Sequence, residues 1–414
     1  MRNVLYTNMD GALLKGTDVE IKRSIKPAIK LIRITTVPAS LLILLRNQLK
    51  FMSRFYNVLA VSSPGRELED VQFSEGVPTV AVKMSRAITP LQDIRAIYLL
   101  YRLFKKEKPA IVHTHTPKAG FVGMIAARLA GVPIRLHTVA GLPLIEKKGL
   151  KRKMLEWVEV VTYAGATKVY PNSHKLASFI SEKKYCKPAK LKILGNGSSN
   201  GIDTDFFKLN AGIAAEATKI KEQLSIGEND FVFVFVGRLV RDKGVEELVE
   251  AFNIIRAKDL QVKLLLVGCF EPELDPLNKK TARQIETDTN IIHVGFKKDI
   301  RPYLAISHAL TFPSYREGFP NVPLQAGCFD LPSIVSDVNG CNEIISHGKN
   351  GLLVPAKNSH ALAEAMKNLY TDKSLYNMLK NNSRQTIVNR YDQKHFWNLL
   401  LREYQNQVNE YAAL

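Results

Sequence analysis

Two basic side chains, Arg238 and Lys243, stand in the run Phe233-Val-Phe-Val-Gly-Arg-Leu-Val-Arg-Asp-Lys-Gly244. The segment Phe231–Val236 is continuous and apolar, the pattern of a strand buried on both faces. Gly237 permits a sharp exit, and a helix is expected from Val245. Cations on such a strand-to-helix loop converge on one diphosphate, each charge-assisted contact contributing about 1.5–3 kcal/mol. The same charges stabilise a departing nucleoside diphosphate as its negative charge grows. Simple solvation is the competing reading for lone loop cations.

A second run, Ser314-Tyr-Arg-Glu-Gly-Phe-Pro-Asn-Val-Pro-Leu-Gln325, repeats the design after the expected strand Ala309–Phe312. Glu317 lies on the loop, Gly318, Phe319 and Pro320 form the approach, and a helix is expected from Val322 with Asn321 as its N-cap. Pro323 suits the first turn, where a missing N–H has no partner to lose. Glu317 and Gln325 are expected at the mouth above that helix start. A lone Glu317 would be read as a carboxylate favoured by the helix dipole; the pair of loops makes a nucleotide-diphosphate site the stronger reading.

The elements that must hold these loops alternate short β-branched strands with helices, which reads as α/β with parallel sheets. Strands are expected at Lys30–Thr36, Asn57–Ser62, Thr79–Lys83, Ile111–His115, Ile134–Thr138, Lys168–Tyr170 and Leu191–Leu194. A second series follows at Phe231–Val236, Val262–Val267, Ile291–Val294, Ala309–Phe312 and Ser333–Val335. Helices are expected at Leu91–Lys106, Ala119–Leu129 and Leu150–Ala164, and nearly throughout Ser359–Tyr411. The loop-rich stretch Gly195–Gly201 places the junction near Phe207, giving an arm (1–27), a first domain (28–207) and a second domain (208–392). A length of 414 residues fits two domains, and a hydrophobic content of 46% argues against disorder.

Together the two runs resemble the donor half of glycosyltransferase family 4, a retaining family with the GT-B fold. The resemblance covers about residues 28–390. It implies two Rossmann-like domains with parallel sheets facing across a cleft, the C-terminal segment 393–414 crossing back to the first. It also implies donor-binding roles for Gly237, Gly318, Phe319, Pro320, Asn321, Val322 and Gln325, and catalytic roles for Arg238, Lys243 and Glu317. The family's E-x7-E pattern places its first glutamate by the transferred sugar and its second on the ribose hydroxyls. Here the second position is Gln325, which accepts from one hydroxyl and donates to the other. Gly340-Cys-Asn-Glu343 and Gly348-Lys-Asn-Gly351 resemble the family's closing segment, with Glu343 expected as a helix cap.

The patches Ile111-Val-His-Thr-His-Thr-Pro-Lys-Ala-Gly120, Leu136–Pro143 and Leu194–Asp203 resemble bacterial enzymes of capsule, O-antigen and glycan assembly that extend a sugar on undecaprenyl diphosphate. On that basis His113, His115 and Lys118 are expected to face the cleft, with His115 and Lys118 binding acceptor. Many family members carry a histidine where this chain has Ala140; His137, three residues earlier, is assigned packing or solvation instead.

Charge is unevenly placed. Residues 1–207 hold 33 Lys and Arg against 15 Asp and Glu, a net +18, whereas residues 208–414 hold 25 against 24, a net +1. The basic run Lys147–Lys153 and the amphipathic segment Leu41–Phe55 suggest attachment of this half to an anionic membrane surface. No apolar run approaches the roughly 20 residues of a span, and Met1–Pro27 lacks the apolar stretch of a signal peptide. The expected location is cytoplasmic, peripheral on the inner face of the cytoplasmic membrane. The four cysteines show no paired spacing, so reduced thiols are expected. Asp203-Thr-Asp205 reads as a turn at the junction, and no other cluster has ligand spacing; no metal and no cofactor beyond the donor are expected. Nucleic acid is not an expected partner, because the basic half has no aromatic-interleaved stripe.

These readings converge on transfer of a hexose or N-acetylhexosamine from a UDP-sugar to a lipid-diphosphate-linked saccharide, with anomeric configuration retained. A nucleotide-sugar 2-epimerase of the same fold and a non-catalytic nucleotide-sugar-binding protein are the alternatives.

Overall fold

The computed structural model describes residues 29–142, 144, 148–258, 260–271, 273 and 275–413. The expected arm, residues 1–27, and Lys147 lie outside them. The β-branched runs assemble into two six-stranded sheets, every neighbouring pair parallel. The first holds β1 (Lys30–Ile34), β2 (Asn57–Ser62), β3 (Thr79–Ala81), β4 (Ile111–His115), β5 (Ile134–Val139) and β6 (Lys168–Pro171). The second holds β7 (Phe231–Val236), β8 (Val262–Val267), β9 (Ile291–His293), β10 (Ala309–Phe312), β11 (Ser333–Ser336) and β12 (Gly351–Val354).

The spatial orders are β3-β2-β1-β4-β5-β6 and β12-β11-β10-β7-β8-β9. Each is the doubly wound order in which chain direction across the sheet reverses once. The reversals fall between β1 and β4 and between β7 and β10, and ligands of such sheets bind beyond the strand ends at that point. The strand cores are dry: Val232, Phe233, Val234 and Phe235 are fully buried, as are Leu264, Leu265 and Leu266 beside them.

The last helix, Gln393–Ala412, leaves the second domain and packs on the first. Its Phe396, Trp397, Leu400, Leu401 and Tyr404 join Leu31, Leu41, Leu49, Ile111 and Leu136 in one apolar cluster. This corrects the membrane reading of Leu41–Phe55. Leu41, Leu45, Leu49 and Met52 are fully buried, because the helix Glu67–Glu75 packs on Pro38–Leu44 and the returning helix packs on Gln48–Met52.

Two strand assignments also differ from expectation. Leu191–Leu194 is not a strand: only Leu191 bridges to Val169, after a 3-10 turn at Pro188–Lys190, and Leu194 packs toward the C-terminal helix. Conversely, Gly351–Val354 closes the edge of the second sheet as β12, pairing along β11 from Ser333↔Gly351 to Ser336↔Val354.

Candidate functional site

β7 and β10 are adjacent, with Phe233 beside Ala309, so the loops that follow them emerge together at the switch point of the second sheet. They are bound to each other. The Tyr315 N–H donates to the Asp242 carbonyl at 2.9 Å, and the Ser314 hydroxyl donates to the same oxygen at 3.4 Å. Gly244 sits at φ +70°, where a Cβ would stand 2.1 Å from the Pro313 carbonyl oxygen. Only glycine satisfies both the backbone and the space there.

This contact delivers Lys243 to Glu317: Nζ lies 2.6 Å from Oε1, with side chains 17% and 13% exposed. The fully buried Cys341 is close by. Its thiol is pushed well above the ordinary range, chiefly by burial and further by the Glu317 carboxylate. Arg238, on the same loop as Lys243, is held by a different carboxylate. Its Nη1 is 3.2 Å from Glu271 Oε2, with side chains 43% and 38% exposed. Lys243 has three N–H donors, so holding Glu317 leaves capacity for a phosphate oxygen.

Gly237 leads out of β7 at φ +156°, and Gly268, after β8, passes so close that a Cβ on it would overlap the Gly237 carbonyl. Nothing in the local pattern singles out Gly268, because the approach is made by a strand from elsewhere in the chain. Phe319 is half-buried and meets Tyr391 edge to face at 5.4 Å between centroids, and Pro320 is buried. The helix expected from Val322 runs Asn321–Gly327, so Asn321 is its first residue and not its cap. Pro320 occupies the cap position with φ −76° and ψ 134°, and no side chain caps the turn. The extended geometry of proline starts the helix one residue early. Asn321, Val322 and Gln325 are half-buried, with Asn321 and Gln325 one turn apart on the same side of the helix.

The first domain closes over this loop. A Cβ on Gly318 would lie 2.4 Å from the Ala140 carbonyl oxygen, at the end of β5. Asn339, which the sequence did not single out, donates Nδ2 to the carbonyls of Gly318 (3.0 Å) and Glu317 (3.3 Å), while its Oδ1 meets the Ser173 hydroxyl at 3.3 Å. Glu343 is a cap, but of a helix in the other domain: its carboxylate accepts from the backbone N–H groups of His174 (2.7 Å) and Lys175 (2.9 Å), which open the helix His174–Glu182. A carboxylate at a helix N-terminus is stabilising there, and here it spans the two domains.

On the acceptor side the expected cluster of His113, His115 and Lys118 facing the cleft does not form. Alternation along β1 and β4 puts Arg33, His113 and His115 on the face covered by the C-terminal helix, while Lys118 belongs to the helix Pro117–Leu129 on the opposite face. His115 is buried, stacked on His113 at 4.5 Å, with Nε2 at 2.6 Å from Arg33 Nη2. Arg33 is fully buried and also meets Tyr404 Oη at 2.8 Å and Gln48 Oε1 at 2.5 Å. Burial, reinforced by the Arg33 charge, holds both histidines well below the usual imidazole range, so they are neutral. Lys118 pairs with Asp93 at 2.5 Å, each side chain 10% exposed. His137 is packed on the other face, Nδ1 at 2.8 Å from Thr114 Oγ1, and burial lowers it to about 4.

Asp203-Thr-Asp205 forms a turn in which Asp203 accepts from the Phe206 N–H at 2.9 Å, Thr204 bonds Asp392, and Asp205 pairs with Lys394. Among the described residues no group of three or more His, Cys, Asp or Glu has metal-holding geometry.

Two doubly wound sheets facing across a cleft, with a charged site at the switch point of the second, define the GT-B architecture of nucleotide-sugar enzymes. Comparison with known proteins bears this out. Residues 216–386 match the glycosyl transferases group 1 family and residues 49–197 the glycosyl transferase 4-like domain. The chain is 33% identical over 383 residues to the capsular polysaccharide biosynthesis glycosyltransferase CapM of Staphylococcus aureus, covering 92% of this chain and 98% of that one. It is 31% identical over 321 residues to the UDP-Gal:alpha-D-GlcNAc-diphosphoundecaprenol alpha-1,3-galactosyltransferase of Escherichia coli, covering 76% and 79%. The crystal structure of Anabaena HepE with UDP and glucose superposes with a TM-score of 0.77 at 19% identity, covering 91% of this chain and all of that one. The chain belongs to the group 1, family 4-like glycosyltransferases, and is a glycosyltransferase enzyme of GT-B fold.

Proposed function

We propose that the enzyme transfers a hexose or N-acetylhexosamine from a UDP-sugar to a saccharide on a lipid diphosphate, with retention, in bacterial surface polysaccharide or glycan synthesis. The carrying observation is the Lys243–Glu317 pair, part-buried at the switch point of the second sheet, with the Ala140–Gly141 backbone of the first domain against the adjoining Gly318. The Staphylococcus and Escherichia relatives support the polysaccharide setting, and the Escherichia name supports a lipid-diphosphate acceptor.

In this reading Lys243 and Arg238 neutralise the pyrophosphate and Glu317 orients the sugar. Gly237, Gly318, Phe319, Pro320, Asn321, Val322 and Gln325 shape the nucleotide pocket. The bond from the anomeric carbon to the β-phosphate oxygen breaks, and the acceptor oxygen bonds to that carbon from the same face. The hydroxyl proton passes to the departing phosphate. Electrostatic stabilisation of that leaving group comes from side chains already in place, so the rate is expected to survive chelation by EDTA. The acceptor's lipid implies a peripheral position on the inner face of the cytoplasmic membrane. No helix among the described residues is long and apolar enough to cross a membrane.

The test is to incubate the enzyme with a set of UDP-sugars, with and without a detergent-dispersed lipid-diphosphate saccharide. Glycosylated lipid is the expected product. A new UDP-sugar epimer formed without acceptor would replace this reading with 2-epimerisation, and tight UDP binding without turnover would reduce the protein to a binder.

A further inference from the structure

Three helices lie side by side over one face of the first sheet: Pro90–Glu107, Pro117–Leu129 and Gly149–Gly165. They run back against the strands, so their N-termini stand at the edge where Ala140 and Gly141 meet Gly318. The outer two helices have their usual buried stripes, Ala96, Leu100 and Phe104 in one, Thr162 and Tyr163 in the other. Their outward stripes are also apolar. Leu150 is 84% exposed and Trp157 59%, with Met154 and Val160 exposed on the same side at helical spacing. On the other helix Leu91 is 85% exposed and Ile94 65%, followed by Tyr98.

The charges around these stripes have one sign. Exposed Lys148, Lys151 and Lys153 surround the first, and exposed Arg95, Arg102, Lys105 and Lys106 the second. Each acid on these helices is engaged or buried: Asp93 pairs with Lys118, Glu107 with Lys30 and Glu156 with Arg152, while Glu159 is 4% exposed. Apolar ridges with an indole, set in uncompensated lysine and arginine, match a headgroup layer of anionic lipid. A second copy of this chain is a poor match, because like charges would meet across the contact.

We propose that the outer faces of helices Pro90–Glu107 and Gly149–Gly165 form the docking surface for an anionic lipid leaflet, Leu91, Ile94, Leu150 and Trp157 entering the headgroup layer. The cleft mouth then lies beside the membrane, where a lipid-borne diphosphate presents itself. This rests on the lipid-linked acceptor proposed above.

The full-length enzyme is floated with vesicles of phosphatidylglycerol and phosphatidylethanolamine, and separately with phosphatidylcholine. The expected result is binding to the anionic vesicles at least tenfold tighter than to the neutral ones and weakened by 0.5 M salt. The double variant Leu150→Glu/Trp157→Glu should lose tenfold or more, with an unchanged thermal midpoint and unchanged transfer to detergent-dispersed acceptor. A variant that floats like the parent overturns the proposal. So does a parent that ignores vesicles but forms a dimer by light scattering that the variant abolishes. Transfer in detergent tests the chemistry independently: absence of any transfer alongside intact flotation would sink the proposed reaction and leave the surface standing.

Discussion

The two sheets share one strand order, yet they use their switch points in opposite ways. In the second sheet the charged groups lie on loops beyond the strand ends, where Lys243, Glu317 and Arg238 keep partial access to water. In the first sheet the comparable strands carry Arg33, His113 and His115 within the strands, on a face sealed by the C-terminal helix. The loop after β4 offers the Thr116 hydroxyl to Thr36 and not a charge to the cleft. Placement a few residues earlier or later along a parallel strand therefore decides whether a cation serves a ligand or the core.

The contrast can be broken most forcefully at Lys243. Lys243→Ala should lower kcat by about a hundredfold or more, roughly 2.7 kcal/mol in the barrier. The unfolding midpoint should move little, because the second-domain core is elsewhere. A steady-state assay showing parental kcat would remove Lys243 from the chemistry.

The first domain should instead answer to pH. Its three buried histidines have folded values below their unfolded one, so the stability they supply is present above about pH 6.5 and is lost as pH falls toward the folded values. For His137, lowered from 6.5 to about 4, the loss is about 2 kcal/mol by pH 5. Urea unfolding at pH 7.5 and pH 5 should show at least that fall in the parent, to which all three histidines contribute, and a smaller one in His137→Gln.

A smaller effect is expected from Gln325→Glu, which supplies the charged acceptor of the E-x7-E pattern. A charged hydrogen bond exceeds a neutral one by roughly 1 kcal/mol, so donor KM should fall about fivefold with kcat nearly unchanged. An unchanged or raised KM would show that Gln325 does not meet the ribose. Smallest is the clasp between domains: Glu343→Ala removes an N-terminal cap at a cost of about 1 kcal/mol or less. Faster amide exchange at His174 and Lys175 would register it; identical protection would deny the clasp.

Most of the second domain's design was legible locally. A fully apolar Phe231–Val236 has no place but a two-sided sheet interior, and the glycine and charges that follow it sit where the fold puts them. What escaped depends on distant chain. The side chains of His113 and His115 share a face by simple alternation, but which face is covered is decided by residues 393–412, some 280 positions later. For the same reason Leu41–Phe55 looks like a membrane-seeking helix until Trp397 and Tyr404 arrive. β12 has no local signature, because four residues opened by glycine become a strand only beside β11. Asn339 and Glu343 act across the domain boundary, through hydrogen bonds with Ser173, His174 and Lys175 that no spacing encodes.

The returning helix carries one more consequence, for synthesis on the ribosome. Arg33 emerges 371 positions before Tyr404, whose hydroxyl it meets in the finished core. Until residues 393–412 are made the first domain waits with an open greasy flank and a guanidinium that lacks one of its three side-chain partners, so a nascent chain stalled near residue 390 has nothing to seal it.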